Sequence, residues 1–474
     1  MLVNNFGIIN DYLHKIHEIL ELNLTKLNYL NFNLLKQYIY KELKIDKNII
    51  DDICERLVSV KYNLNKKLSF TNGKNCFREY EDKYPDIEVP EEYKKLEQHF
   101  NKLKLLPQPE QRTKEWYDYR YNRITASDTA AAIDQNPYEP VEGFILKKCD
   151  PNFPFRDNAA VSHGKKYEPI ATMIYEHIYN TRVFEFGALP SEKYEFLGAS
   201  PDGICSKYTL DNEFSTRLGT MLEIKCPVTR NIILKGKIIG EICPNYYYWQ
   251  IQQQLECCDL DVCDFLQCKL SEYNNRNEYL IDTCESCKHY ETSNGNIVDI
   301  DNRLKKGVII ELYPKIFKPE FEGDNIEWKS KYIYPKRLDM DEEQYNNWIL
   351  KTLSDNTDEL YNNYYFHKII YWKLILSHNV AIQRCPTSIQ NILPILKETW
   401  SKVQYYRKNK DKLPELQLIC DKRKKYIKIN TSYTIHTSML DNINFLDDKF
   451  DLKTINKNIK ILKKKDIESD SYDD

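Results

Sequence analysis

The sequence predicts an α/β core set between helical N- and C-terminal extensions, and three observations point there. Apolar residues recur at helical spacing near the start, at Ile9, Leu13, Ile16 and Leu20 and again at Ile50, Ile53, Leu57 and Val60. From about 112 to 310, short apolar runs broken by Gly and Pro alternate with helical stretches, the texture of a mixed sheet with helices on it. From about 311 the pattern reads as mostly helix. The expected organisation is a helical domain over 1–105, an α/β core over 112–310, a mainly helical extension over 311–455 and a charged, solvated tail over 456–474.

Taken in order, "KLLPQPEQR", with Pro107 and Pro109, reads as a linker ahead of the core. In "YEPIATMIYEHIYN" the four-residue step of Ile170, Ile174 and Ile178 marks a helix. The expected strands lie at "FLGA", "MLEIKC" and "CDFLQCKL". Further on, "NILPILKETWSKVQYYRKN" reads as a helix with Ile392, Ile395, Leu396, Thr399 and Val403 along one side. The closing "ILKKKDIESDSYDD", a basic run followed by an acidic one, reads as solvated tail. No internal repeat is present.

A chain of 474 residues with 42% apolar composition can bury a sizeable core, which excludes a disordered protein. Its formal charge is −3, from 68 basic and 71 acidic residues, so any nucleic-acid partner must be held by a local basic groove. No apolar run reaches membrane-spanning length, and "MLVNNFGIINDYLHKIHEIL" lacks the basic start and apolar centre of a signal peptide. A soluble, intracellular protein with no membrane partner is expected. The 14 cysteines are scattered, as suits reduced thiols better than a disulfide framework.

The chemistry concentrates around "MLEIKCPVTRN". On a strand, Glu223 and Lys225 share a face, which presents an acid and a base together. Upstream, "LGASPDGI" places Asp202 in a Pro-Asp-Gly turn from which a hairpin can bring it to Glu223. Two carboxylates and a backbone carbonyl, such as that of Ile224, form a hard oxygen site suited to Mg²⁺ or Mn²⁺. Beside it Lys225 can orient an attacking water and offset charge on a phosphorane-like transition state. Glu168, in "HGKKYEPIA", offers a third carboxylate for metal or for general base work. "YYWQIQQQLECC" supplies Gln250, Gln252 and Gln254, any one of which can hold the water or the lysine. In "WYDYRYNRITASD", Arg120, Arg123, Ser127 and Asp128 put arginine beside a hydroxyl at a helix start, which is phosphate-binding chemistry.

The ordered blocks "WYDYRYNRITASD", "HGKKYE", "ASPDG", "LEIKCP" and "YYWQIQQQL" resemble the lambda-type exonuclease and YqaJ-like viral recombinase family of the PD-(D/E)XK nuclease superfamily, over residues 112 to 275. The resemblance implies a restriction-endonuclease-like core in which Asp202 and Glu223 bind metal and Lys225 is the catalytic lysine. It further implies that Glu168 is a metal-side or base carboxylate, that Gln252 supports the water or the lysine, and that Arg120 and Ser127 hold a terminal 5′-phosphate. The implied activity is Mg²⁺-dependent degradation of double-stranded DNA from 5′ ends, for viral recombination or end processing. An annealing protein as partner, a homo-oligomer, and a place in host cytoplasm, viral factory or virion belong to the same picture. The excursion that includes "CSKYTLDNEFSTRLGT" is longer than a tight hairpin needs, and a toroidal trimer is not assumed.

Other readings stand beside these. The same core also suits a structure-selective or nicking endonuclease, and a fold kept without catalysis suits a DNA-binding recombination scaffold. Taken singly, Glu223 and Lys225 read as an exposed strand pair, Asp202 as a turn residue, Glu168 as a surface ion pair, Ser127 as a helix cap, and Gln250 and Gln254 as solvent-facing. "CESCKH" has the start of a metal motif in Cys284, Cys287 and His289, but no second Cys-x-x-Cys pair follows, so ordinary thiols are expected. "VQYYRKNKDK" and "DKRKKYIK" suit either DNA contact or a solvated helix face.

Overall fold

The computed structural model describes residues 76–77, 84–109, 113–151, 153, 158–292, 297–298, 300–316, 326–355 and 363–437. The periodic positions from Ile9 to Val60 and the tail over 456–474 lie outside the described residues. The chain divides into two units, Met1–Cys420 and Asp421–Asp474. The described part of the second unit is helical, as the end of the helix Leu413–Thr437.

The first unit is organised on one mixed sheet. Its strands are β1 (Cys76–Phe77), β3 (Val183–Phe184), β6 (Gly203–Cys205), β7 (Met221–Lys225), β8 (Val262–Glu272), β9 (Lys288–Glu291), β10 (Ile297–Val298), β11 (Lys306–Pro314), β12 (Lys331–Ile333) and β13 (Tyr364–Gln383). They run in the order β1-β12-β11-β13-β8-β7-β6-β3, with β9 paired to β13 and β10 to β9. A small second sheet joins β2 (Ile124–Thr125), β5 (Leu197–Ala199) and β4 (Leu189–Pro190). The helices that position side chains discussed below are α1 (Lys94–Leu105), α2 (Lys114–Tyr121), α3 (Val141–Cys149), α4 (Ala159–Tyr179), α5 (Asn245–Cys258) and α6 (Pro386–Lys408). β7 and β8 are parallel, and the connection between them carries α5, a crossover of the βαβ kind.

The expected strands at "FLGA", "MLEIKC" and "CDFLQCKL" are β5, β7 and β8, and the expected helices are α4 and α6. α4 buries Tyr167, Ile170, Ala171, Ile174 and Tyr175, starts at Asn158, whose side chain accepts from Val161 N, and stops at Asn180 in a left-handed conformation. On α6 the buried stripe is Ile389, Ile392, Leu396, Thr399 and Val403. Ile395, expected on that stripe, is 44% exposed, because one residue before Leu396 is a turn of about 100° away.

Two expected boundaries fail. Residue 310 falls inside β11, and the segment read as helix after it contains β12 and the 20-residue β13, which pairs with both β11 and β8. The sheet therefore runs through what the sequence reading assigned to a helical extension. The proline-containing linker does not separate α1 from the core either. Phe100 packs edge-on against Phe184 and Phe186 at 6.0 and 5.5 Å between ring centroids, and Gln108 accepts from Gly187 N at 2.6 Å. No helix among the described residues is long and apolar enough to cross a membrane.

Candidate active site

β7 carries Glu223 and Lys225 on one face, as two-residue spacing requires, and the Lys225 ammonium donates to Glu223 Oε1. The reading of an exposed pair is overturned, since Glu223 is 1% exposed. β6 pairs antiparallel with β7 in the register Gly203 to Leu222 and Ile204 to Met221, so the next pair outward is Asp202 and Glu223. Gly203 permits this packing: a Cβ there would lie 2.2 Å from Val183 Cγ1. The long excursion between the strands returns without disturbing them, with Cys205 N donating to Thr220 O and Gly219 N to Cys205 O, each at 2.9 Å.

Asp202 Oδ2 accepts the Ile224 N–H at 2.6 Å. In a strand the N–H and C=O of one residue point to the same edge, so the Ile224 carbonyl lies on the Asp202 side. Burial, then the Glu223 and Glu168 carboxylates, push Asp202 well above the usual carboxylate range, against Lys225 and the Ile224 N–H. Burial alone would lower Lys225, but Glu223 and Asp202 outweigh it and hold the ammonium protonated. Asp202 and Glu223 thus converge beside the Lys225 ammonium, with Glu168 close enough to Asp202 to act on it. The donor set is hard oxygen, as a small divalent cation requires. Among the described residues no three acidic, His or Cys side chains are already gathered as metal ligands, and Lys225 supplies the counter-charge to Glu223.

α5 supports the cluster with Gln250 and Gln254, which the sequence offers either for the site or as solvent-facing residues. Gln250 Nε2 donates to Glu223 Oε1 at 2.6 Å and Gln254 Nε2 to Glu223 Oε2 at 2.7 Å; four residues apart, they share a helix face. Gln252, assigned to the water or the lysine, is elsewhere. Its Nε2 donates to Gln383 O at 2.9 Å and its Oε1 accepts from Cys385 N at 2.7 Å, which ties α5 to the junction of β13 and α6. Two helical residues on from Gln250, it points about 200° around the axis.

A second polar cluster lies where α5 meets β2. Gln253 Nε2 donates to Ile124 O at 2.8 Å and to Gly198 O at 3.0 Å, and its Oε1 accepts from Thr129 Oγ1 at 2.7 Å. There Arg120 Nη2 lies 3.4 Å from Ser127 Oγ, so the structure brings that expected pair together. Asp128 is 3% exposed and acts as their buried counter-ion. It takes Lys147 Nζ at 2.6 Å, Lys148 Nζ at 2.9 Å, Thr125 Oγ1 at 2.7 Å and, more distantly, Arg120 Nη2 at 3.9 Å. Burial would raise Asp128, but Lys147, Lys148 and Arg120 hold it well below the usual range. Lys148, with its side chain 5% exposed, is pushed down to about 8 by burial, with Arg120 and Lys147 adding to the shift. Lys147 is more open and moves up instead, because Asp128 and Glu139 outweigh its burial.

Lys147 and Lys148 escaped the sequence reading because their partner is 19 and 20 residues away, and only the fold makes the pairing visible. Arg407, within the "VQYYRKNKDK" segment, braces this region: it donates to Lys148 O at 2.9 Å and stacks on Tyr121 at 3.6 Å. In "CESCKH" the residues part company. Cys284 and Cys287 adjoin through a turn, whereas His289 bonds Ser377 Oγ at 3.0 Å and Tyr179 Oη at 3.3 Å. The described cysteines are free thiols.

A mixed sheet flanked by helices thus carries Asp202, just before β6, beside Glu223 and Lys225 on β7. Residues 115–261 match the model of the YqaJ-like viral recombinase domain, which bears out the resemblance read from the sequence. An uncharacterized protein of Acanthamoeba polyphaga mimivirus is 35% identical over 325 residues, 68% of this chain and 57% of that protein. The chain therefore spans little more than half of that relative's length. Among solved structures, an alkaline exonuclease (LHK-Exo) of Laribacter hongkongensis is 16% identical with a TM-score of 0.33, covering 64% of this chain and 100% of its own. Its complex with dAMP gives 17% identity and a TM-score of 0.32 over 64% and 100%. Overlap that slight says nothing of substrate or mechanism.

Proposed function

We propose that the chain is a metal-dependent deoxyribonuclease that degrades double-stranded DNA from 5′ ends, in viral recombination, repair or end processing. The observation that carries this reading is that one helix, α5, braces both an acidic cluster with a lysine and a basic pocket with a hydroxyl. Hydrolysis of a phosphodiester needs a held cation, a positioned water and neutralised charge at the phosphate; an end-directed enzyme also needs a grip on the terminal phosphate.

Asp202 and Glu223 would hold a divalent cation, Mg²⁺ or Mn²⁺, and the Ile224 carbonyl and Glu168 are the further oxygen donors that would serve it. Such a cation, when bound, supplies Lewis-acid polarisation of the phosphate. Lys225 leaves Glu223 when that charge is otherwise met, then orients water toward phosphorus and offsets the developing charge. Glu168, exposed at the rim, takes the proton from water. Gln250 and Gln254 fix both oxygens of Glu223, so the carboxylate presents one orientation. Arg120, Ser127 and Lys147 receive the 5′-phosphate, while Asp128 keeps their cationic groups converged. A single-strand annealing protein and a second copy of the chain are the partners this role calls for, in an infected cell.

The test is digestion of linear duplex DNA labelled separately at each end, carrying 5′-phosphate or 5′-hydroxyl, with Mg²⁺ or with EDTA. Mononucleotides released from the 5′ end, faster with phosphate and only with Mg²⁺, are expected. Internal cuts would move the assignment to a nicking or structure-selective endonuclease. Binding without cleavage on every substrate would leave a recombination scaffold.

A further inference from the structure

The chemistry above makes no use of Cys284 and Cys287, although the fold sets them up as a pair. Cys287 N donates to Cys284 O at 3.2 Å, closing a four-residue turn. Such a turn holds its end Cα atoms within about 7 Å, close to the span a disulfide requires. Cys284 sits at φ 57, a left-handed conformation that a residue with a Cβ keeps only where its surroundings impose it. Here the Asp282 carboxylate imposes it, with Oδ1 accepting the Cys284 N–H at 2.8 Å.

The two sulfurs have unlike environments. Tyr273 Oη lies 3.4 Å from the Cys284 sulfur and Lys306, bonded to Asp282 O at 2.8 Å, adds positive charge beside it, whereas the Cys287 thiol donates to Leu374 O. The Cys287 thiol first, then Tyr273 and Lys306, pull Cys284 down to about 6 against its burial, while Cys287 moves up. A thiolate beside a protonated thiol is the arrangement of an attacking and a resolving cysteine. Cys284 and Cys287 are 1% and 3% exposed, but Glu285 and Ser286 between them are at the surface, so the pair lies just beneath it. With His289 turned toward Ser377 and Tyr179, no third ligand joins them to make a metal site among the described residues.

We propose that Cys284 and Cys287 are a redox-active dithiol, a modification site that an oxidant of the peroxide class converts to an intramolecular disulfide. The Cys284 thiolate attacks one peroxide oxygen, the O–O bond breaks, sulfur is oxidised to a sulfenic acid and the other oxygen leaves as hydroxide. The Cys287 sulfur then attacks the sulfenic sulfur; the S–S bond forms, and hydroxide departs with the Cys287 proton as water. In total one peroxide is reduced to one water and one hydroxide, and the hydroxide takes a proton from solvent to become the second water. The thiol donor that Cys287 gives to Leu374 O is lost, beside the irregularity at Leu374/Leu376 where β13 begins pairing with β9.

The full chain is titrated with hydrogen peroxide, its remaining thiols are alkylated, and it is digested with trypsin. One tryptic peptide, from Asn277 to Lys288, holds both cysteines and no other. That peptide is expected to lose two hydrogens and both alkylation sites at lower peroxide than any other cysteine peptide. Without peroxide, at neutral pH, Cys284 should alkylate about tenfold faster than the other buried cysteines. In Cys287→Ser, dimedone should capture a sulfenic acid at Cys284; in Cys284→Ser, no peroxide-dependent product should form at Cys287. The wild-type peptide decides the matter even if either variant misfolds. The proposal is overturned if both thiols stay alkylatable at peroxide levels that oxidise the more open Cys385, or at every level the folded chain survives.

Discussion

Around Glu223 the fold gathers the carboxylates of Asp202 and Glu168 and the ammonium of Lys225; around Asp128 it gathers Arg120, Lys147 and Lys148. Each cluster is built on one carboxylate that solvent barely reaches, and each is braced from the same helix. The groups gathered around the two differ. A gathering of carboxylates suits a cation and a gathering of cations suits an anion, and under the proposed function these are the metal and the phosphate of one hydrolytic reaction. The lesson is that a buried charge is informative less by its own sign than by the partners gathered around it.

The strongest way to break this pairing is to remove Lys225. Lys225→Ala should reduce cleavage by about 10³-fold while duplex binding survives, because the lost ammonium acts on the transition state; single-turnover kinetics beside a binding titration would show it. The next largest effect is on folding. Asp128→Asn leaves three cations around a neutral amide and should cost about 3 to 5 kcal/mol in denaturant unfolding. Asp128 is depressed in the fold, so its contribution is fully present above about pH 4 and fades as pH falls through the lower folded value.

Smaller effects sharpen the contrast. Arg120→Ala and Lys147→Ala should each lower the preference for 5′-phosphate over 5′-hydroxyl ends about tenfold, seen in KM more than kcat. Wild-type preference should hold below about pH 8 and weaken above it, since Lys148 loses its charge there amid Asp128, Arg120, Lys147 and Glu139. A kcat/KM profile for both kinds of end would reveal that slope. Smallest of all is the glutamine test. Gln250→Ala should slow turnover about tenfold by freeing one oxygen of Glu223, whereas Gln252→Ala should leave kcat alone and cost about 1 kcal/mol of stability. The reverse ranking would restore Gln252 to the site.

Much of this was legible in the sequence where chemistry is local. The two-residue step from Glu223 to Lys225 places both on one face of any strand, and the Pro-Asp-Gly turn fixes where Asp202 enters β6. What was not legible depended on rotation or on distance along the chain. Helical rotation chose Gln250 and Gln254 over Gln252, and the apolar spacing of Tyr248, Ile251, Leu255 and Cys258 that marks the helix does not say which glutamine meets Glu223. The segment after 311, expected as mostly helix, holds β13, whose 20 residues exceed ordinary strand length although their Tyr, Ile and Trp content favours a strand. Nothing local in the sequence marks Lys147 and Lys148, since only the fold sets Asp128 against them.

The central claim is that the two clusters take ligands of opposite sign, and equilibrium binding tests it without relying on turnover. Mn²⁺ binding would be followed by electron paramagnetic resonance, and binding of a 5′-phosphorylated duplex in EDTA by fluorescence anisotropy, for wild type, Asp202→Asn and Arg120→Ala. The account predicts that Asp202→Asn loses Mn²⁺ while keeping discrimination for the phosphorylated end, and that Arg120→Ala does the opposite. Loss of both properties in either variant, or of neither in both, would contradict it.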